Sequence, residues 1–146
     1  MGLTVALRVY LDTNAIIRFA ESTDTDIIML FDDAAAGILK LYTSELTLAE
    51  TLVGPYKTEN RRLAEEYETF LQSDDVMTVV PVDRDVLRLS AKLRAEWGGK
   101  APDAIHVATA SLQGCKIIVS SDGGLRLPPG MKRVPIEEVA DLDSWR

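Results

Sequence analysis

Apolar and polar positions along this chain switch repeatedly between the period of a strand and that of a helix, and the switching predicts the architecture. The largely apolar run Val5 to Leu11, β-branched and aromatic near its end, reads as a buried strand that stops at Asp12. Thr13 and Asn14 can each cap a helix, so Ala15 to Ala20 reads as a short helix and Glu21 to Thr25 as a polar loop. Asp24 or Thr25 opens a second helix running to Gly37, whose Ile27, Ile28, Leu30 and Phe31 offer more apolar surface than one stripe needs. Lys40 to Thr43 is a short strand. Ser44 is a good N-cap for a helix Glu45 to Val53 that Gly54-Pro55 should terminate, with Leu46, Ala49 and Val53 on one face and Glu50 bordering it.

Further on, Thr58 to Gln72 is an amphipathic helix with Leu63, Tyr67, Phe70 and Leu71 on its apolar side, and Val76 to Val82 is a strand. Asp83 caps a helix that continues to Trp97 and stops at Gly98-Gly99; Val86, Leu89, Leu93 and Trp97 recur at core spacing. Arg84, Arg88 and Lys92 step by four along another side, a stripe better read as a solvated face paired with Asp85 and Glu96 than as a phosphate track. A loop from Lys100 to Asp103 leads into a helix Ala104 to Leu112, then a strand Lys116 to Ser120 and a turn Ser121 to Gly124. The tail offers an edge strand at Arg133-Val134 and a short helix Ile136 to Leu142. Strands alternating with helices specify an α/β fold with a parallel sheet covered on both faces, here as one domain over residues 1–146.

Composition changes this picture little. A chain of 146 residues that is 47% hydrophobic suits one domain with a real core. The lone Cys115 cannot form an internal disulfide and, beside a strand, is expected to be a buried inert thiol in a reducing compartment. No leader pattern opens the chain, and no apolar run approaches the roughly 20 residues needed to span a bilayer, so a cytoplasmic protein without a membrane partner is expected. A net charge of −7 argues against a nucleic-acid partner at face value. Clustering qualifies that, because Asp12, Glu50, Asp103 and Asp122 supply four of those charges at comparable places in the strand and helix order.

Asp12 and Asp122 follow strands at the same end of a parallel sheet, Asp103 opens a helix after Pro102, and Glu50 lies in a helix entered from a strand. Such positions can converge on the crevice where open α/β sheets bind ligands. Each has a bland reading alone, Asp12 and Asp103 as helix caps and Glu50 as a surface residue, but the joint pattern favours a site. Clustered carboxylates raise one another's pKa, and hard cations remove the conflict; oxygen-only ligands select Mg²⁺ or Mn²⁺. Two such ions about 3.5–4 Å apart can activate a water and stabilise the leaving oxygen of a phosphodiester. His106, one turn after Asp103, is expected to support or pack rather than to ligate.

The segments Leu11-Asp12-Thr13-Asn14, Ser44-Glu45-Leu46-Thr47-Leu48-Ala49-Glu50, Pro102-Asp103-Ala104-Ile105-His106-Val107-Ala108-Thr109-Ala110 and Ser120-Ser121-Asp122 resemble the four acidic motifs of PIN-domain ribonucleases, most closely the VapC-type toxins. The resemblance covers residues 9 to 122. It implies a three-layer PIN-like fold, with a central parallel sheet flanked by helices, and an endoribonuclease dependent on Mg²⁺ or Mn²⁺. It also implies a homodimer and a cognate antitoxin protein. By position, Asp12, Glu50 and Asp103 match the core catalytic and metal-holding acids and Asp122 the fourth, with Thr13, Asn14 and Ser120 in support. Where family members often carry Thr-Asn-Asp, this chain has Ser120-Ser121-Asp122: the Ser120 hydroxyl can replace threonine's, Ser121 replaces an amide, and Gly123-Gly124 should make the loop mobile.

RNA entering an acidic crevice needs local cations, and Arg18 and Lys100, nearest in sequence to the acids, are the candidate substrate-binding residues. Two alternatives within the family are a non-toxin nuclease of RNA processing and an inactive RNA- or protein-binding module. A phosphotransferase using Asp12 as nucleophile is a third, weakened because position 14 is Asn rather than a second acid. Apolar surface around Ile27 to Phe31 and Leu63 to Leu71 is expected to form an interface.

Overall fold

The computed structural model describes residues 5–21 and 25–145. Five strands, β1 (Leu7–Leu11), β2 (Leu39–Ser44), β3 (Met77–Val80), β4 (Ile117–Val119) and β5 (Lys132–Val134), form one sheet in the order β3-β2-β1-β4-β5. Every neighbouring pair is parallel; Val9 of the central strand stands between Leu41 and Ile117. The helices are α1 (Thr13–Glu21), α2 (Thr25–Ala35), α3 (Glu45–Lys57), α4 (Arg61–Phe70), α5 (Arg84–Trp97) and α6 (Ala101–Leu112), and a 3₁₀ segment Ile136–Trp145 closes the chain. The expected three-layer α/β architecture is what forms. Among the described residues no helix is long and apolar enough to cross a membrane.

Alternation along the strands builds two cores. Val9, Leu11, Leu41, Val79, Ile117 and Val119 point to one face and pack with Ile16 of α1, Ile27 and Leu30 of α2, and Val139 and Leu142 of the closing segment. Tyr10, Tyr42 and Ile118 point to the other, against Val107 and Ala110 of α6 and the buried Cys115. Each aliphatic side chain buried this way contributes roughly 1.5–3 kcal/mol. The sheet reverses direction of growth between β1 and β4, so the carboxyl ends of those two strands flank the crevice of the fold.

Several boundaries differ from the sequence reading. The α1 cap is Asp12 itself, whose Oδ1 accepts from Ala15 N at 2.9 Å, and the helix starts at Thr13. The expected loop at 22–24, with its Asp24 cap, lies outside the described residues. Gly54-Pro55 does not stop α3: Pro55 removes one N–H, but the chain continues a further turn before Thr58 caps it. Asn60, not Thr58, opens α4, after Glu59 takes a positive φ of 54°. On α3 the buried residues are Thr47, Thr51, Leu52 and Pro55, whereas Ala49 and Val53 face outward, so the Leu46, Ala49 and Val53 stripe is not the packing face. Trp97 is also 39% exposed, because α5 packs mainly on α6 at the border of the molecule and its last turn reaches past that support.

Candidate active site

Asp12 and Asp122 lie where β1 and β4 end, and Asp12 N donates to Val119 O at 3.2 Å, so the two strand ends are tied together. α6 starts at Ala101, earlier than expected, which puts Asp103 in its first turn. Glu50 approaches from α3. The Asp12 cap and the Asp12 site are not alternatives: one carboxylate accepts from Ala15 N, takes a hydrogen bond from the Ser120 hydroxyl, and still feels the charge of Asp122.

The acids differ in their electrostatic surroundings. Burial, reinforced by repulsion from Asp122, raises the Asp12 carboxyl above its ordinary range against the pull of Ser120, Ala15 N–H and His106. Asp103 is raised as well, chiefly by desolvation and then by Asp122, with Glu50 adding repulsion and His106 and Lys100 opposing it. Glu50 goes the other way: the hydrogen bond from His106 is the largest influence and lowers it, outweighing desolvation, and Thr13 assists. Asp122 is thus felt by both Asp12 and Asp103, Glu50 is felt by Asp103, and His106 acts on Asp12, Glu50 and Asp103.

The buried side of the site is a hydrogen-bonded chain. Glu50 Oε1 accepts from Thr13 Oγ1 at 2.8 Å and from His106 Nε2 at 2.6 Å, and His106 Nδ1 lies 2.6 Å from the Tyr10 hydroxyl. Tyr10 is fully buried, and desolvation holds its phenol proton to well above pH 10. The Glu50 carboxylate can only accept, so Nε2 carries a proton and donates to it, and in the neutral imidazole Nδ1 is then the acceptor for the Tyr10 hydroxyl. His106 supports Glu50 as the sequence leads one to expect, whereas Tyr10 joins the chain with no sequence signal to mark it. A tyrosine two residues before Asp12, inside an apolar strand, reads as core.

The open side is organised by the β4 loop. Ser120 is buried, and its hydroxyl accepts from Asp122 N at 3.0 Å. Asp122 Oδ1 accepts from Gly124 N at 2.9 Å, and Arg133 Nη1 donates to Ser120 O at 2.8 Å. A Cβ at Gly124 would stand 3.3 Å from Asp122 Oδ1, so glycine gives the turn room to close on the Asp122 carboxylate. Asn14 is exposed and lines a shallow groove with Arg18 and Ser121, apart from the Glu50 chain. Arg18 stands 3.7 Å from Glu137, and Lys100 borders Asp103. On α5, Arg88 pairs with Asp85 at 3.1 Å, which is the solvated-face reading of that residue.

Among the described residues no three Asp, Glu, His or Cys side chains are grouped closely enough to hold a metal ion, and Asp12, Glu50 and Asp122 each accept a hydrogen bond from a protein donor. The donor set nevertheless fits Mg²⁺ or Mn²⁺. Such ions keep several waters and need one or two carboxylates rather than an all-protein cage, and a cation would relieve the repulsion around Asp12, Asp103 and Asp122.

The family model described as "PIN domain" matches residues 9–129. No curated protein matches the chain. Among solved structures, a toxin-antitoxin complex from Klebsiella pneumoniae is 23% identical, with a TM-score of 0.62 over 85% of this chain and 95% of that one. VapBC2 from Rickettsia felis, bound to a promoter DNA fragment, gives a TM-score of 0.70 at 14% identity over 88% and 98%. VapC20 from Mycobacterium tuberculosis, a Sarcin-Ricin loop cleaving toxin, gives 0.62 at 19% identity over 80% and 92%. At these identities the likeness is one of fold.

Proposed function

The chain belongs to the PIN domain family, and from that premise we propose that it is a divalent-metal-dependent endoribonuclease, the toxin of a VapBC-type toxin-antitoxin pair. The observation that carries this reading is geometric: Asp12 at the end of β1 is tied through its N–H to the end of β4, where Asp122 follows, Asp103 stands in the first turn of α6, and burial first and Asp122 second raise both Asp12 and Asp103, which a bound cation would offset. Asp12, Asp103 and Asp122 would hold Mg²⁺ or Mn²⁺, with Glu50 completing the set. The ion, when bound, supplies charge neutralisation for the scissile phosphate and acidifies a water.

The protein's own groups do the positioning. Ser120 fixes Asp12 and the Asp122 backbone at once, and Thr13 and His106 together hold Glu50 Oε1, so that the carboxylate keeps one oxygen for the crevice. A homodimer and an antitoxin partner accord with toxin-antitoxin complexes among the structural neighbours and with apolar side chains left outside the fold. Ile28 and Met29 of α2 are 43% and 56% exposed. Most of the α4 face is not part of that surface: Leu71 and Tyr67 are buried, and Phe70 stacks on Phe19 and lies tilted against Phe31 at the edge of the chain's own core, which corrects the expectation for Leu63 to Leu71.

RNA incubated with the protein tests the reading. Internal cleavage in Mg²⁺ or Mn²⁺ that stops in EDTA is the expected result; intact RNA with either metal would refute it.

A further inference from the structure

The cations of this acidic chain are unevenly used. Arg62 pairs with Glu66, Arg88 with Asp85 and Arg18 with Glu137. Arg94 and Arg126, by contrast, have no acid within ion-pair distance among the described residues, although they come from separate segments and meet at one loop. Arg94 Nε donates to Gly99 O at 3.2 Å, and Arg126 Nη1 donates to Trp97 O at 3.0 Å. Each guanidinium is anchored to a backbone carbonyl by one N–H, and both residues are exposed.

The loop between α5 and α6 is shaped to receive them. Gly98 and Gly99 both take positive φ, 76° and 95°, which L side chains rarely adopt. Cβ atoms there would stand 3.4 Å from Arg126 Nη1 and 3.5 Å from Arg126 Cδ. Arg126 thus lies flat on bare backbone. Lys100 follows directly, and Lys100, Arg126, Gly124 and Asp103 line one small pocket, so Lys100 and Arg126 adjoin Asp103, while Arg94 reaches the same loop through Gly99.

We infer that Arg94, Arg126 and Lys100 form a binding site for backbone phosphate of the RNA strand on the Asp103 side of the crevice. The inference rests on the nuclease reading above and adds the place where the strand is held. A phosphodiester chain approaching carboxylates in a protein of net charge −7 needs its flanking phosphates neutralised. Guanidinium forks held by one N–H are preorganised to meet phosphate with the others. The sequence pointed to Lys100 and Arg18; the structure keeps Lys100 and adds two arginines that no motif marks.

The test is fluorescence anisotropy with a labelled single-stranded RNA oligonucleotide in EDTA, which blocks cleavage, across a salt series. The Arg94→Gln/Arg126→Gln double variant should bind about tenfold more weakly, with a log–log salt slope shallower by about 0.7 per arginine. Arg126→Lys should keep most of the slope, and Arg62→Gln should bind as the parent does. Parent affinity and slope in the double variant, with the unmodified protein still cutting RNA in Mg²⁺ or Mn²⁺, would overturn this site and leave the nuclease reading standing. An unmodified protein that neither binds nor cuts RNA would overturn both.

Discussion

The two sides of the candidate active site are built on opposite principles. On the Glu50 side, Tyr10, His106 and Thr13 hold one carboxylate oxygen through short hydrogen bonds, and Glu50 is stabilised in its charged form. On the Asp103 side the carboxylate repels Asp122, Lys100 is its countercharge, and no hydrogen bond to the Asp103 side chain compensates among the described residues. The contrast teaches that the protein's own donors compensate the Glu50 charge, while around Asp103 only the charges of His106 and Lys100 oppose desolvation and Asp122. Asp12 stands between the halves, capped and hydrogen-bonded yet still raised by burial.

The largest expected effect breaks the open half. Asp103→Asn and Asp12→Asn should each lower RNA cleavage by about three orders of magnitude, the several kcal/mol that a cation contributes in a transition state. Asn caps a helix as well as Asp does, so the Asp12 variant should still fold. Initial rates in Mg²⁺ or Mn²⁺ decide it, and a parent rate in either variant would remove that acid from the site.

Breaking the braced half should cost stability first. His106→Ala removes the donor to Glu50 and the Nδ1 partner of the Tyr10 hydroxyl, leaving Thr13 as the remaining donor to Glu50, a loss of about 2–4 kcal/mol and about 10 °C in Tm. Tyr10→Phe removes only the hydroxyl and should cost about 1–2 kcal/mol. Equal Tm values for the parent and His106→Ala would mean that the chain does not brace the fold.

A subtler effect lies in pH. Asp12 and Asp103 have raised folded pKa values, so the folded state binds more protons than the unfolded one just above the ordinary aspartate value of 3.8. Their contribution to stability is therefore lost as pH rises through that window. Glu50, lowered, has the reverse sign: its contribution is present above 4.5 and is lost as pH falls through the lowered value. In EDTA, Asp103→Asn should flatten the decline of Tm on the alkaline side of the window and leave the acid-side fall intact. Superimposable Tm–pH curves would show that Asp103 is not strained.

Much of this was legible in the sequence, because local rules governed it. The strand-helix alternation, the Ser44 and Asp83 caps and the order of the four acids are short-range signals, and the fold follows them. What was not legible depended on long-range packing. Tyr10 and His106 are 96 residues apart, and only β1 lying beneath α6 brings them together. Pro55 reads as a helix end because the rule for proline is local, whereas its burial beside α4 carries α3 onward. Arg94 and Arg126 carry no motif, and the shape of the Gly98-Gly99 loop that gathers them is not a property of either segment alone.

The central claim is that Asp12 and Asp103, from different elements, serve one cation centre. Calorimetric titration of Mn²⁺ into the metal-free parent and the variants Asp12→Asn and Asp103→Asn measures this without any substrate. Saturable binding by the parent, weakened at least about tenfold in each variant, is the result expected for ligands of one centre. Binding of equal affinity and stoichiometry in all three proteins would contradict it.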